Sequence, residues 1–250
     1  MQDAFDTPPH DPAAALNDEA DPTLDPGAGP QPLDAPRPPR MPVSEDDLRR
    51  VARGGGRAGS SDYDLNPELR DALPPRRKLR PAAVLCPLVR RPQGLHVILT
   101  RRADHLRHHP GQVAFPGGKV EPNDPSPAAA ALREAQEEIG LDPAMVELLG
   151  AIDGHETVTG FLVTPWLGLV DPAFSPRPDP SEVAEVFEVP LDWLMDPANH
   201  ARGWREWNGQ RRWYYEMPWR GRRIWGATAR MLVGLSARLA ALDGAGGGAA

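Results

Sequence analysis

The sequence predicts an α/β fold in which a mixed β-sheet is sandwiched between α-helices. Several short apolar runs have the length of strands, and two longer segments have helical spacing. Strands and helices do not alternate regularly, which argues against a purely parallel βαβ arrangement. The 250 residues are enough for one domain with appendages.

Turn signals separate the predicted elements of this domain. The apolar runs predict strands at residues 82–89, 95–100, 146–152, 161–170 and 182–189. Asn208-Gly209 lies between two aromatic and basic runs, which predicts a β-hairpin. Leu235, Leu239 and Leu242 recur at helical spacing and indicate a last helix over about residues 224–242.

Composition divides the chain into four segments. Residues 1–43 are rich in Pro, Ala and Asp, which predicts a disordered tail whose deletion leaves activity and melting temperature nearly unchanged. Ser44 precedes three acidic residues and predicts a helix start, so residues 44–80 are interpreted as a helical lead-in. The compact domain is expected over residues 81–243, and residues 244–250 are expected to be a second disordered tail.

The single cysteine limits the chemistry of the chain. Cys86 excludes an internal disulfide and a thiolate zinc cluster, and its apolar surroundings predict a buried, unreactive thiol. The lack of disulfides fits a reducing cytosol, so we expect a cytoplasmic protein. No run approaches the roughly 18 apolar residues of a membrane span. The net charge of -7 is concentrated in the first forty residues, so neither a membrane nor a nucleic-acid partner is expected.

A helix with an acidic face is predicted after residue 125. Ser126 is a good N-cap, and Gly140 is a left-handed stop. Glu134, Glu137 and Glu138 stand at i, i+3 and i+4, which places three carboxylates on one face. Such charges repel unless a cation neutralises them, and oxygen-only ligands select Mg²⁺ or Mn²⁺. A solvated acidic helix face is the alternative interpretation of these three residues.

The surroundings of this helix favour the metal interpretation. Gly117-Gly118 allows a tight turn whose backbone approaches a ligand. Residues 117–141, with Arg-Glu-x-x-Glu-Glu-x-Gly-Leu at their end, resemble the Nudix box. Two departures are Asp124, where the box usually has Glu, and one extra residue between Asp124 and Arg133. The resemblance implies the Nudix fold and a metal-dependent pyrophosphate hydrolase.

A second motif narrows the family resemblance. Residues 98–118 resemble the segment that marks the coenzyme A pyrophosphatase branch, with Ile98 for Leu as the only departure. Residues 157–160 and 223–229 are also similar to this branch. The implied substrates are coenzyme A and acyl-CoA, cleaved to 3′,5′-ADP and 4′-phosphopantetheine or its acyl form. Guanidinium groups suit the phosphates of coenzyme A, so Arg102 and Arg107 are expected to bind substrate.

The resemblance also implies roles for residues of the box. Glu134, Glu137 and Glu138 would hold the metal and belong, with Arg133, to the catalytic machinery. Gly117 and Gly118 would lie against the substrate. The metal would neutralise the diphosphate and activate a water. The general base stays open between a box residue, Glu134, and later acids. These later acids are Glu182 and Glu185.

Two other functions are possible for such a chain. One is a Nudix pyrophosphatase for ADP-ribose or an oxidised nucleotide, against which residues 98–118 argue. The other is a non-catalytic nucleotide-binding module, which would be expected to lack box glutamates, and all three are present. The tryptophans of the predicted hairpin and of the segment after it are interpreted as packing residues rather than as an adenine platform. These tryptophans are Trp204, Trp207, Trp213, Trp219 and Trp225.

Overall fold

A computed structural model describes residues 31–32, 38–39, 41–55, 59–71, 78–207 and 210–245. The strands are β1 (Gln31–Pro32), β2 (Ser60–Ser61), β3 (Arg80–Arg91), β4 (Gly94–Arg102), β5 (Val113–Ala114), β6 (Gly117–Lys119), β7 (Val146–Ala151), β8 (His155–Glu156), β9 (Phe161–Val170), β10 (Val183–Pro190), β11 (Ala201–Trp207), β12 (Gln210–Trp219) and β13 (Arg222–Trp225). The helices are α1 (Glu45–Arg53), α2 (Pro67–Asp71), α3 (Pro127–Ile139), α4 (Leu191–Met195) and α5 (Ala227–Ala245).

The larger sheet has the strand order β10-β4-β3-β9-β8-β2. Strand β5 also pairs with β4, β6 with β3, and β7 with β9. The central pair β3 and β9 is parallel, while β4 and β10 are antiparallel to each other. The sheet is therefore mixed, as the sequence predicts, and the predicted strand over residues 161–170 is confirmed at both ends.

Alternating side chains of β3 place the sheet between two helical layers. Ala83, Leu85 and Val89 pack in one apolar cluster with the alanine-rich side of α3. Cys86 and Leu88 point to the other face and pack in a second cluster with residues of α1, α4 and α5. The α/β sandwich is thus confirmed. Burial raises the pKa of the Cys86 thiol to about 12, so this thiol is an unreactive core group.

A smaller antiparallel sheet covers one end of the domain, in the order β1-β11-β12-β13. Strands β11 and β12 form the predicted hairpin, whose turn residues 208–209 lie outside the described part. The predicted start of the last helix is wrong, because Ile224 and Trp225 belong to β13 and pair with Met217 and Glu216 of β12. Gly226 has a φ of 64°, and this left-handed residue separates β13 from α5.

The ends of the folded part differ from the predicted boundaries. Val43 is 6% exposed, and its N–H donates to Asp192 at 2.9 Å, so the boundary drawn after residue 43 is too late. Strand β1 also pairs with β11, whereas most of residues 1–43 lie outside the described part. Helix α5 extends through Ala245, two residues into the second predicted tail, of which residues 246–250 are not described.

The lead-in is part of the domain. Ser44 and Asp47 form a capping box at the start of α1, and Leu48 and Val51 are buried in the core. Strand β2 then joins the larger sheet by parallel pairing with β8. Among the described ranges, no helix is both long and apolar enough to cross a membrane.

Candidate active site

Helix α3 holds the predicted acidic face at a defined place against the sheet. The Ser126 hydroxyl accepts from the Ala129 N–H at 3.1 Å, and Pro127 follows at the first helical position. Gly140, with a φ of 69°, ends the helix by donating to backbone carbonyls of the last turn. Glu138 is buried together with the alanines of α3, Glu134 is partly buried, and Glu137 is exposed.

The two glycines of β6 allow the backbone to touch both the sheet and α3. A Cβ at Gly117, whose φ is 153°, would lie 2.5 Å from the Ala83 carbonyl oxygen. A Cβ at Gly118 would lie 2.5 Å from Glu134 Oε1. The glycine pair therefore keeps the Glu134 carboxylate directly against the backbone of the turn.

Glu138 is a buried carboxyl at the centre of this site. Its exposed fraction is 6%, and its Oε2 has no hydrogen-bond partner among the described residues. Burial and the neighbouring charge of Glu134 raise the pKa of Glu138 to about 8, although Arg102 and the Gly117 N–H favour the charged form. A buried, unsatisfied carboxyl oxygen of this kind is costly unless a ligand binds it.

Glu134 lies beside Glu138, and the charge of Glu182 raises the pKa of both carboxyls. Burial raises the pKa of Glu134 despite the nearby Arg133, and the charges of Glu137 and Glu182 raise it further. Glu182 reaches this region because its carbonyl accepts from the Ala103 N–H at 2.8 Å, just beyond β4. Glu134 and Glu182 are therefore the two general-base candidates close to the site.

Glu185, the third candidate for the general base, is bound elsewhere. Its carboxylate pairs with Arg222, and Arg101 approaches it at 3.9 Å. The hydrogen bond from Arg222 lowers the pKa of Glu185 despite partial burial. This pairing makes Glu185 a weaker proton acceptor than Glu134, whose pKa is raised.

Arg133 connects the acidic face to the preceding loop. Its guanidinium lies 3.0 Å from Asp124, 3.1 Å from Glu134 and 2.9 Å from Glu137. Asp124 is otherwise engaged, because it accepts from the Glu121 N–H at 2.7 Å. Asp124 thus supports the loop. An Asp fits this position because its carboxylate binds the Glu121 N–H and Arg133.

The carboxylates fit a hard divalent cation, but they are not a preformed cluster. In the described part of the chain, no three Asp, Glu, His or Cys side chains are close enough together to hold a metal ion. Glu137 is exposed and binds Arg133, whereas burial raises the pKa of both Glu134 and Glu138, and the charge of Glu134 raises that of Glu138 further. The unpartnered Glu138 oxygen and the oxygen-only donor set are what Mg²⁺ or Mn²⁺ requires.

The two predicted substrate arginines lie in different surroundings. Arg102 ends β4, and its charge acts on Glu138. Its buried Nε has no hydrogen-bond partner among the described residues. Arg107 is exposed on the following loop, and no ion pair joins it to a described residue. The structure therefore brings Arg102 together with Gly117, Gly118 and the box carboxylates, and it leaves Arg107 outside.

A cavity of about 170 Å³ lies against the smaller sheet and the loop after β4, and it was not expected from the sequence. The loop after β4 contributes His109 to its wall, and the smaller sheet contributes Arg205, Arg212 and Trp225. The sequence signal that points to it is the alternation of arginines and aromatic residues on both sides of Asn208-Gly209. The sequence predicts only a hairpin from these runs, with the tryptophans as packing residues.

Comparison with known proteins identifies the family of the chain. The NUDIX domain family model matches residues 79–208. A protein of Salmonella paratyphi B named "Uncharacterized Nudix hydrolase NudL" is 46% identical over 165 residues, which are 64% of this chain and 83% of the relative. The protein of that name from Salmonella newport matches with the same identity and coverage.

Solved structures give a weaker match to the same fold. A Nudix hydrolase from M. smegmatis, RenU, is 26% identical with a TM-score of 0.38, over 45% of this chain and 71% of that one. A MutT protein from Methanosarcina mazei Go1 is 23% identical with a TM-score of 0.39, over 48% of this chain and 83% of that one.

An α/β sandwich with a glycine turn against an acidic helix defines the class of protein. With the matched family model and the 46% identical relatives, the chain belongs to the Nudix hydrolase family. Members of this class act on nucleoside diphosphate derivatives, which are small molecules, and generally use divalent metal ions.

Proposed function

We propose that this hydrolase cleaves the pyrophosphate bond of coenzyme A and acyl-CoA, producing 3′,5′-ADP and 4′-phosphopantetheine or its acyl form. The motif over residues 98–118 supports this substrate. Its segments, β4, the following loop and β6, form one wall of the site, and Arg102 lies at the end of β4. The cytosolic location and the absence of membrane and nucleic-acid partners remain predictions.

One observation supports the proposal most strongly. Glu138 Oε2 and Arg102 Nε are both buried and both without a partner among the described residues. The two groups are close enough for Arg102 to change the pKa of Glu138. One needs a cation and the other needs an anion, and a divalent metal with a diphosphate satisfies both.

The proposed mechanism assigns a task to each of these side chains. The cation, Mg²⁺ or Mn²⁺, would be held by Glu134, Glu138 and the exposed Glu137. Arg133 would keep Glu134 and Glu137 in place. The bound cation would neutralise the diphosphate and activate the attacking water.

The remaining steps concern protons and charge. Water attacks one phosphorus, the bridging P–O bond breaks, and the other phosphate leaves with the bond electrons. Arg102 donates to phosphate oxygens as their charge grows. Glu134 or Glu182 takes the proton of the attacking water, and the raised pKa of Glu134 suits that task.

A substrate panel tests the proposal. The full chain is incubated with Mg²⁺ or Mn²⁺ and with coenzyme A, acetyl-CoA, ADP-ribose or 8-oxo-dGTP, and products are separated by chromatography. We expect the highest kcat/KM for coenzyme A or its thioester, and no turnover after chelation of the metal. A higher kcat/KM for ADP-ribose or the oxidised nucleotide would overturn the assignment of substrate.

A further inference from the structure

The cavity is linked to the catalytic carboxylates through Arg102. The Arg102 N–H donates to the Gln112 carbonyl at 3.0 Å, and both Gln112 and His109 line the cavity. The charge of Arg102 also acts on Glu138, so this residue connects the two places. The cavity volume of about 170 Å³ is smaller than the roughly 300–1,000 Å³ of pockets for whole ligands. It therefore suits one end of a substrate whose middle lies at Glu138.

Strand register places two like charges opposite each other in this cavity. Arg205 of β11 pairs directly with Arg212 of β12, and both line the cavity. Like charges at directly opposed positions destabilise a sheet. Burial lowers the pKa of Arg212, and the neighbouring Arg205 lowers it further. The pair is therefore an unfavourable arrangement that a bound anion would relieve.

The carboxylate of Asp62, which also lines the cavity, has other hydrogen-bond partners. Asp62 lies 3.9 Å from Arg212, beyond hydrogen-bond distance. Its Oδ1 bonds to His155 at 3.0 Å, and its Oδ2 accepts from the Val158 N–H at 3.0 Å. Among the described residues, no carboxylate pairs with Arg205. The guanidinium groups thus retain donors for phosphate oxygens.

Aromatic rings continue the same face of the small sheet. Residues 212, 214 and 216 of β12 point to one side, and Trp225 is paired with Glu216. The rings of Tyr214 and Trp225 are in edge contact, with centroids 5.3 Å apart. Gly203 lies opposite Tyr214, where an added Cβ would collide with the ring. The rings of Tyr214 and Trp225 can contact a base, and the neighbouring guanidinium groups of the arginine pair can bind a phosphate. Together they suit a phosphorylated nucleoside.

We propose that this cavity binds the nucleoside end of the substrate, with Arg205 and Arg212 holding its phosphate monoester and Tyr214 and Trp225 contacting its base. This inference rests on the proposed function and extends it, because it assigns the 3′-phosphate to the small sheet and leaves Arg102 to the diphosphate. Trp225 is then a ligand contact as well as a packing residue.

Equilibrium binding of products tests the site without catalysis. Calorimetry with the full chain compares adenosine 3′,5′-bisphosphate with adenosine 5′-monophosphate for wild type, Arg205→Gln and Arg211→Gln. Arg211 is the matched control, because it is exposed on the same hairpin and stacks on Trp204 at 4.4 Å. We expect wild type and Arg211→Gln to bind the bisphosphate at least about tenfold more tightly than the monophosphate. This ratio is the order expected from one charge-assisted contact. Arg205→Gln should lose most of that preference.

Kinetics separate this inference from the proposed function. For Arg205→Gln, KM should rise for coenzyme A and stay near wild type for dephospho-coenzyme A, with kcat nearly unchanged for both. Equal effects on the two substrates, or a bisphosphate preference that survives in Arg205→Gln, would overturn the cavity assignment alone. A wild type that binds the bisphosphate selectively but leaves coenzyme A intact would instead overturn the proposed function.

Discussion

At the scale of single residues, Glu138 combines burial, a raised pKa and an unsatisfied oxygen in one side chain. The sequence predicts the spacing of the three glutamates and their place on one side of a helix. It does not predict their different surroundings, because the environment of Glu138 depends on β6 and β4, which precede the helix in the chain. Glu137, the residue directly before Glu138, is exposed and bound to Arg133.

Neutral substitutions test the carboxylates directly. We predict that Glu137→Gln and Glu138→Gln each lower turnover by at least about a hundredfold, the order found when electrostatic stabilisation is lost. Gln has the size and helix propensity of Glu, so folding should survive. Mg²⁺ or Mn²⁺ should raise the melting temperature of wild type by mass action and that of the variants much less. Near-wild-type turnover in both variants would mean that these residues are only a solvated face.

The glycine turn makes a second prediction at this scale. In Gly118→Ala, the new Cβ would lie 2.5 Å from Glu134 Oε1, so the carboxylate must move away. We expect turnover to fall roughly a hundredfold, the order expected for a misplacement of about 1 Å. Circular dichroism and turnover are measured together, so that loss of activity in a folded protein is distinguished from unfolding.

Gly234→Ala is the control for this substitution. A Cβ at Gly234 would be 3.6 Å from Arg230, an ordinary contact, and the position is inside α5. Ala should stabilise this helix by about 0.5–1 kcal/mol and leave turnover unchanged. A Gly118→Ala variant as active as this control would show that the close approach to Glu134 has no part in catalysis.

At the scale of elements, the strands with strong apolar runs were predictable and the small sheet was only partly so. The larger sheet consists of segments whose apolar residues define their faces, and β9 was predicted at both ends. The Asn-Gly turn predicted the hairpin, but not the facing of Arg205 and Arg212, which depends on the pairing register. The sequence predicts the helix start at about residue 224, inside β13, because the four residues of this strand carry no alternation that distinguishes them.

The contact between α3 and its preceding loop gives a prediction for this scale. Arg133 binds Asp124, Glu134 and Glu137 with a planar guanidinium that Lys does not reproduce. We predict that Arg133→Lys lowers turnover about 10- to 100-fold, as loss of residues that orient metal ligands does. Asp124→Asn should lower turnover less, since the Asp124 carboxylate bonds, among the described residues, to the loop backbone and to Arg133. An Asp124→Asn variant as impaired as Glu138→Gln would make Asp124 a ligand.

At the scale of the whole molecule, the domain begins earlier than composition alone indicates. The low apolar content of residues 1–43 predicts a segment without core residues, but Val43 at its end packs in the core. Val43 is buried, and its N–H reaches Asp192 across the fold. Such a contact cannot be read from a local pattern, because Asp192 is 149 residues away in the chain.

Two truncations test this boundary. Deletion of residues 1–30 should leave turnover and melting temperature unchanged, because that segment lacks core residues. Deletion of residues 1–43 removes Val43 and β1 and should lower stability by about 2 kcal/mol, the value of one buried aliphatic side chain. Thermal unfolding of the two proteins is compared. Equal melting temperatures for both truncations would show that the domain begins after residue 43, as composition predicts.

The most direct test of the central claim is product analysis with the doubly substituted enzyme as control. Wild type and the variant carrying both Glu137→Gln and Glu138→Gln are incubated with coenzyme A and Mg²⁺ or Mn²⁺, and products are identified by mass spectrometry. We predict equal amounts of 3′,5′-ADP and 4′-phosphopantetheine from wild type and almost none from the variant. Intact coenzyme A with wild type, or cleavage by the variant at the wild-type rate, would contradict the account.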